Sequence, residues 1–330
     1  MASPIINSNR SDLSKEIPIS TPYLLFIDPS NVCNFKCNFC APQSKKSRNA
    51  FNKQFMEYDL FKKVIDDLQD FPEKVKVLRM YTMGEPLLNP NFCRMVTYAK
   101  EKNVANWIET VTNGSVLNPE LNQRLADSGI DRIRISIESI SEEGYRDICG
   151  KKINYAEFVE NIKDLYERTR GKCDIYIKIV DVSVDTEEKR NIFYNYFKDI
   201  CDNIYIENVV PVWPNFDEIK DKYDKPSSGI MGIDVWEDIN VCPFVFYGCV
   251  VNPDGCVTPC CTDWERSIIY GNVSNKSFKE IWGGSVMKSF WINMLKGKKN
   301  LYDSCRNCDY IKYTANENID AYAEDILKRL

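Results

Sequence analysis

The sequence predicts an α/β fold, a parallel sheet or barrel flanked by helices and followed by a smaller C-terminal unit. Three observations carry that expectation. Short apolar runs alternate with amphipathic segments in the order βαβα from residue 23 to about 209. The chain has 330 residues, enough for one large domain and a lesser one. Its composition, 44% hydrophobic and 28% charged, is that of an ordinary globular protein rather than a disordered one.

The elements follow in order. Residues 1–20 read as a polar arm without the apolar core of a signal peptide. Tyr23–Asp28 is the first strand, and Asp59–Phe71, with Leu60, Phe61, Val64, Ile65 and Leu68 at helical spacing, the first helix. Lys76–Tyr81, Trp107–Thr112 and Arg132–Glu138 are further strands; Asn91–Lys102 and Pro119–Asp127 are the helices between them, the latter stopped near Gly129. Tyr155–Thr169 and Glu187–Asp199 are helical, Cys173–Val184 is a long fifth strand and Asn203–Val209 a sixth. Residues 210–241 break the pattern with Pro211, Pro214, Pro226 and Ser227-Ser228-Gly229 and read as a connecting segment or lid. Beyond it, Phe246–Val251 and Cys256–Cys260 flank the hairpin turn Asn252-Pro253-Asp254-Gly255. Ser277–Leu295 is a helix that Gly283-Gly284 bends or splits, and residues 317–330 form a short amphipathic helix.

Charge and composition narrow the function. A net charge of −5 argues against nucleic acid as principal partner. No apolar run approaches the roughly 20 residues of a membrane helix. With no signal peptide, a cytoplasmic location is expected. There are 14 cysteines and no histidine. Histidine-based general-base catalysis and imidazole zinc sites are thereby excluded, and thiolate remains as the metal ligand, suited to zinc or iron–sulfur clusters. The chain's length argues against a disulfide scaffold.

Directly after the first strand stands Cys33-Asn34-Phe35-Lys36-Cys37-Asn38-Phe39-Cys40, a Cx3Cx2C loop. Three thiolates hold three corners of a cubane cluster and leave the fourth iron open, whereas a pure electron carrier wants four. The alternative is a zinc knuckle completed by a distant ligand. The loop resembles that of the radical S-adenosylmethionine (SAM) enzymes. Met83-Gly84-Glu85-Pro86 after the second strand resembles that family's Gly-Gly-Glu-Pro turn, with Met83 departing from its first glycine. Thr112-Asn113-Gly114 and Ser136-Ile137-Glu138 end later strands where the family gathers its cofactor contacts, and Lys178 lies on the fifth strand. The resemblance implies a partial (β/α)6 TIM-like barrel over residues 21–209. It implies Cys33, Cys37 and Cys40 on a [4Fe–4S] cluster with an open iron site. SAM would be held by Met83, Gly84, Glu85, Asn113 and Ser136, with Lys178 pairing its carboxylate. The family cleaves SAM reductively to methionine and a 5′-deoxyadenosyl radical, which abstracts hydrogen from a substrate C–H bond.

The last third of the chain carries Cys242, Cys249, Cys256, Cys260, Cys261, Cys305 and Cys308. The pattern Cys242-x12-Gly255-x4-Cys260, with Cys305-x2-Cys308, resembles the SPASM/twitch extension of many radical SAM enzymes. No cysteine follows Cys308, which points to the shorter twitch form over 242–330, a β-hairpin-plus-helix unit with one auxiliary [4Fe–4S] cluster on Cys242, Cys260, Cys305 and Cys308. A four-cysteine zinc ribbon is the alternative. The spacing closely resembles that of the aminocyclitol dehydrogenases of butirosin biosynthesis. Cys93, Cys149, Cys173 and Cys201 read as buried hydrophobes.

The resemblance implies oxidation of a secondary alcohol on a sugar, amino sugar or cyclitol, with the auxiliary cluster as electron acceptor and flavodoxin or ferredoxin as reductant. The base would be Arg, Lys, Tyr or a carboxylate. A radical epimerase, with Cys249, Cys256 or Cys261 as thiol hydrogen donor, is a second reading. A peptide-modifying enzyme is a third, and a non-enzymatic iron–sulfur or zinc scaffold a fourth. Trp213, Asn215, Phe216 and Trp236 either cover a ring-shaped substrate or anchor a linker.

Overall fold

The computed structural model describes residues 11–44, 51–216, 228–230 and 232–330. The first ten residues of the arm, and 217–227 and 231 of the connecting segment (Pro226 and Ser227 among them), lie outside the described residues. One nine-stranded sheet organises the chain, in the order β6-β5-β4-β3-β2-β1-β7-β8-β9. Its parallel part is β1 (Leu24–Ile27), β2 (Val77–Arg79), β3 (Ile108–Thr112), β4 (Arg132–Ile137), β5 (Asp174–Val180) and β6 (Asn203–Glu207), each H-bonded to the next. The sheet does not close, so the architecture is the expected partial barrel.

Strand alternation separates two environments. Ile133, Ile135 and Ile137 of β4 and Ile175, Ile177 and Ile179 of β5 are buried under the helices. The intervening positions, Arg132, Arg134 and Ser136 on β4 and Lys178 on β5, face the barrel interior, where they line its cavities. The helices start and stop where local chemistry dictates. Asn118, Asn154 and Thr186 accept a backbone N–H of the first turn at Pro119–Asp127, Tyr155–Thr169 and Glu187–Phe197. Asn103 ends Phe92–Lys102 in the left-handed conformation, at φ 54°.

Four features differ from the sequence expectation. The helix Glu142–Cys149 was not anticipated; Ser141 caps its start and Gly150 its end. The long fifth strand stops at Val180 and a tight turn covers Asp181–Ser183. The arm is not free: Leu13 and Ile17 are buried and Arg329 Nη1 donates to the Lys15 carbonyl at 2.8 Å. Finally, β7 (Gly248–Val251) is a seventh parallel strand, lying against β1 with Leu24 opposite Gly248. The hairpin partner β8 (Cys256–Thr258) and β9 (Gly271–Asn272) continue the sheet antiparallel. The C-terminal unit is thus built onto the barrel's open edge beside β1.

The expected break in Ser277–Leu295 is present. Phe278–Ile281 and Ser285–Leu295 are separate helices, with Gly283 at φ 73° between them. Trp291 fixes the second: its ring is 1% exposed and Nε1 donates to the Val245 carbonyl at 2.7 Å. No helix among the described residues is long and apolar enough to cross a membrane.

Candidate active site

The loop after β1 is held from three sides. Asn31, fully buried, accepts from Gln54 N at 2.7 Å and donates to the Asn52 carbonyl at 2.9 Å. Lys53 Nζ donates to the carbonyls of Asn31 and Pro42 at 3.1 and 2.9 Å. Lys36 N and Asn38 N donate to the carbonyls of Cys149 and Ile148 at 2.9 and 3.0 Å, so the unanticipated helix is a brace for the cysteine loop. Cys149 also hydrogen bonds Cys37, which raises the Cys37 thiol pKa.

Gly84 makes the closest approach to this loop. A Cβ placed on it would lie 2.2 Å from the Ser30 carbonyl oxygen and 2.5 Å from that of Val32. Only glycine allows Glu85 N to donate to the Val32 carbonyl at 2.9 Å. The Glu85 carboxylate, 2% exposed, accepts from Leu87 N at 3.0 Å and from Thr112 Oγ1 and Asn113 N, both at 2.7 Å. It ties the β2 turn to the end of β3 rather than standing free. Burial raises its pKa to about 7. Asn113 Nδ2 donates to Asn34 Oδ1 at 3.0 Å, which closes the ring of loops.

These loops surround a cavity lined by Cys33, Cys37 and Cys40 together with Met83, Gly84, Glu85, Asn113 and Ser136. The donor set fits a cubane with one open iron, and the glycine-backed wall beside it fits a second ligand. Burial pushes the thiols of Cys33 and Cys40 up, to about 11 and about 12, so their ionisation depends on a metal. Glu138, Tyr81 and Trp213 also face this cavity. No described residue donates a hydrogen bond to the Glu138 carboxylate, and burial raises its pKa to about 7.

Lys178 stands elsewhere. It contacts Glu207 in a neighbouring chamber, the interior of the barrel. The two spaces share Tyr81 and Val111. Of the four residues considered as substrate cover, only Trp213 lines the cavity. Phe216 packs on Trp264, Asn215 bonds Glu265 at 2.7 Å, and Trp236 Nε1 donates to the Ala315 carbonyl at 2.9 Å.

A second cavity gathers Cys242, Cys260, Cys305 and Cys308. Asp263, which the sequence did not single out, shapes it. Its carboxylate accepts from Ser267 N at 3.0 Å, Ile268 N at 3.1 Å and the Ser304 hydroxyl, joining the Cys260 turn to the Cys305 turn. Among the described residues, no three Cys, Asp or Glu side chains converge on a single ion. The thiols surround a space, the arrangement a multi-iron cluster requires. Cys261 hydrogen bonds Cys260, which lowers the Cys260 pKa and raises that of Cys261. Cys249 is buried in β7, and Cys256 accepts from Asn272 Nδ2 at 3.4 Å on the outer hairpin. Tyr310 lines both this cavity and the barrel chamber.

Comparison with known proteins agrees with this geometry. The radical SAM superfamily matches residues 27–193, and an iron–sulfur cluster-binding domain, SPASM, matches 242–309. The chain is 26% identical to the tungsten-containing aldehyde ferredoxin oxidoreductase cofactor-modifying protein of Pyrococcus furiosus, over 91% of this chain and 92% of that one. It is 25% identical to the GTP 3′,8-cyclase of Vibrio atlanticus, over 54% of this chain and 51% of that one. Among solved structures, BtrN in complex with AdoMet and 2-DOIA superimposes with a TM-score of 0.58 at 20% identity, covering 90% of this chain and 97% of that one. Native anSMEcpe with bound AdoMet gives 0.60 at 16% identity, covering 93% and 96%. The chain belongs to the radical SAM superfamily, whose members bind SAM and a [4Fe–4S] cluster, and it carries a C-terminal SPASM domain for auxiliary iron–sulfur chemistry.

Proposed function

We propose that this protein oxidises a secondary alcohol on a small polar substrate, a sugar, amino sugar or cyclitol, with an auxiliary [4Fe–4S] cluster on Cys242, Cys260, Cys305 and Cys308 as electron acceptor. The observation that carries this reading is Tyr310, which lines both the four-cysteine cavity and the barrel chamber. An electron released in the chamber is one side chain away from the second cluster site.

When bound, SAM and the cluster on Cys33, Cys37 and Cys40 supply a carbon-centred radical that removes hydrogen from carbon. Oxidation of an alcohol to a ketone would release, besides that hydrogen atom, the hydroxyl proton to a base and one electron, which a cluster held by Cys242, Cys260, Cys305 and Cys308 would accept. Glu138 is the proton acceptor in this reading. Its carboxylate has no donor from the described residues, faces the cofactor cavity and titrates near neutrality, where a general base is most effective. Met83, Gly84 and Asn113 form the wall that orients SAM, and Trp213 helps exclude water.

One observation favours epimerisation as a second reading. Of the three candidate thiols, Cys261 alone interacts with chamber residues: it hydrogen bonds Tyr310 and interacts electrostatically with Arg79. Its hydrogen bond to Cys260 directs it toward the cluster ligand, which is why oxidation is preferred. The test is anaerobic incubation with SAM, dithionite and a panel of amino sugars and cyclitols. Ketone formed in equal amount to 5′-deoxyadenosine supports oxidation. An inverted alcohol, with loss of inversion in Cys261→Ala, contradicts it.

A further inference from the structure

Among the described residues, the floor of the barrel chamber holds more cations than its carboxylates balance. Arg79, Arg132 and Arg134 converge on one buried acid, Glu109, at 2.7 Å from Arg79 Nε, 3.5 Å from Arg132 Nη1 and 3.2 Å from Arg134 Nη2. The sheet register forces this: Glu109 lies opposite Arg79 on β2 and opposite Arg132 on β4, with Arg134 one inward position further on. Arg132 also reaches Asp174 at 3.0 Å, but that carboxylate is 43% exposed. Lys178 and Glu207 form a closed pair. Three guanidiniums therefore face two carboxylates, one of them well exposed.

Their donors are also incompletely used. Nε of Arg132 and Nε of Arg134 are buried without a hydrogen-bond partner among the described residues, and Arg134 is only 8% exposed. A buried cation with unmet donors is unfavourable unless an anion completes it. Arginine forks match carboxylate and phosphate oxygens two at a time.

We propose that this floor is an anion subsite and that the substrate carries a carboxylate or phosphate group read by Arg134 and Arg132. The proposal rests on the reading that the chamber holds the substrate. Arg134 precedes Glu138 by four residues on the same strand line, about 13 Å. A ring-sized body therefore fits between an anion on the floor and the cofactor cavity, which selects acidic or phosphorylated polyols over neutral ones.

The test is equilibrium dialysis of labelled inorganic phosphate, and separately of labelled acetate, against reconstituted holoenzyme saturated with SAM. At least one anion should fill one saturable site per chain, and the tighter of the two names the group. Arg134→Met should weaken it at least tenfold, and Arg134→Lys should restore part of the loss. If Arg134→Met fails to fold, Arg132→Gln at the chamber's edge serves, with the same expected weakening. No saturable site for either anion, or unchanged binding in a folded variant, overturns the proposal. Ketone formation is scored separately on the same preparations. An Arg134-dependent anion site without ketone from any polyol ends the oxidation reading and keeps the subsite. Ketone from neutral polyols without an anion site does the reverse.

Discussion

Replacing Gly84 by alanine isolates the closest contact in the site. Gly84 does not occupy the left-handed region, so alanine introduces no backbone strain of its own. What it introduces is a methyl group 2.2 Å from the Ser30 carbonyl oxygen, 2.5 Å from that of Val32 and 2.7 Å from the Asn31 carbonyl carbon. All three obstacles are backbone, and the loop that carries them is fixed by Asn31 and Lys53, so no side chain can swing aside. Overpacking of this kind costs about 3 kcal/mol, the upper end of the usual range. For a chain of 330 residues, unfolding entropy of about 2 cal/mol/K per residue turns that into a melting shift of about 4 °C. The same displacement parts the cysteine loop from the turn proposed to orient SAM, so reductive SAM cleavage should fall at least tenfold. Melting curves and 5′-deoxyadenosine yield, on anaerobically reconstituted parent and variant, measure both. A Gly84→Ala protein that melts within 1 °C of the parent (about 0.7 kcal/mol) and cleaves SAM at the parental rate would refute the packing argument.

Further expectations concern charge and metal. Glu138→Gln should lower ketone formation by about two orders of magnitude or more and remove the rise in turnover as pH increases through about 7. Because burial holds Glu138 protonated up to about pH 7, against 4.5 for an ordinary glutamate, the folded chain binds more protons than the unfolded one in between. Stability contributed by this group therefore falls as pH rises through that window, and Glu138→Gln should flatten the slope of melting temperature against pH. Asp263→Ala removes the acceptor of four donors around the Cys260 and Cys305 turns, so iron bound at the auxiliary site should fall while the visible absorption of the first cluster persists.

What was legible in the sequence was local. The Cx3Cx2C spacing and the turn at Met83–Pro86 sit on contiguous segments, and the strands announce themselves through runs such as those around Leu25 and Ile133. The helix Glu142–Cys149 was missed because its apolar residues are few, and its clearest signals are the Ser141 cap and Gly150. Pairing of β7 with β1 joins opposite ends of the chain, and no local pattern encodes it. The Arg79–Glu109–Arg134 cluster was invisible for the same reason. Each member is a single charged residue in a different strand, and only the sheet register places them side by side. Asp263 and Tyr310 likewise acquire their roles from the folding of the C-terminal unit onto the barrel edge.

The most direct measurement of the account is iron and acid-labile sulfide per chain after anaerobic reconstitution, on the parent protein and on a variant with Cys33, Cys37 and Cys40 changed to alanine, with dithionite-driven SAM cleavage on both. Two cubane sites predict about eight irons in the parent, about four in the variant, and cleavage by the parent alone. About four irons in the parent, all lost in the variant, would contradict the auxiliary cluster and with it the oxidation of an alcohol.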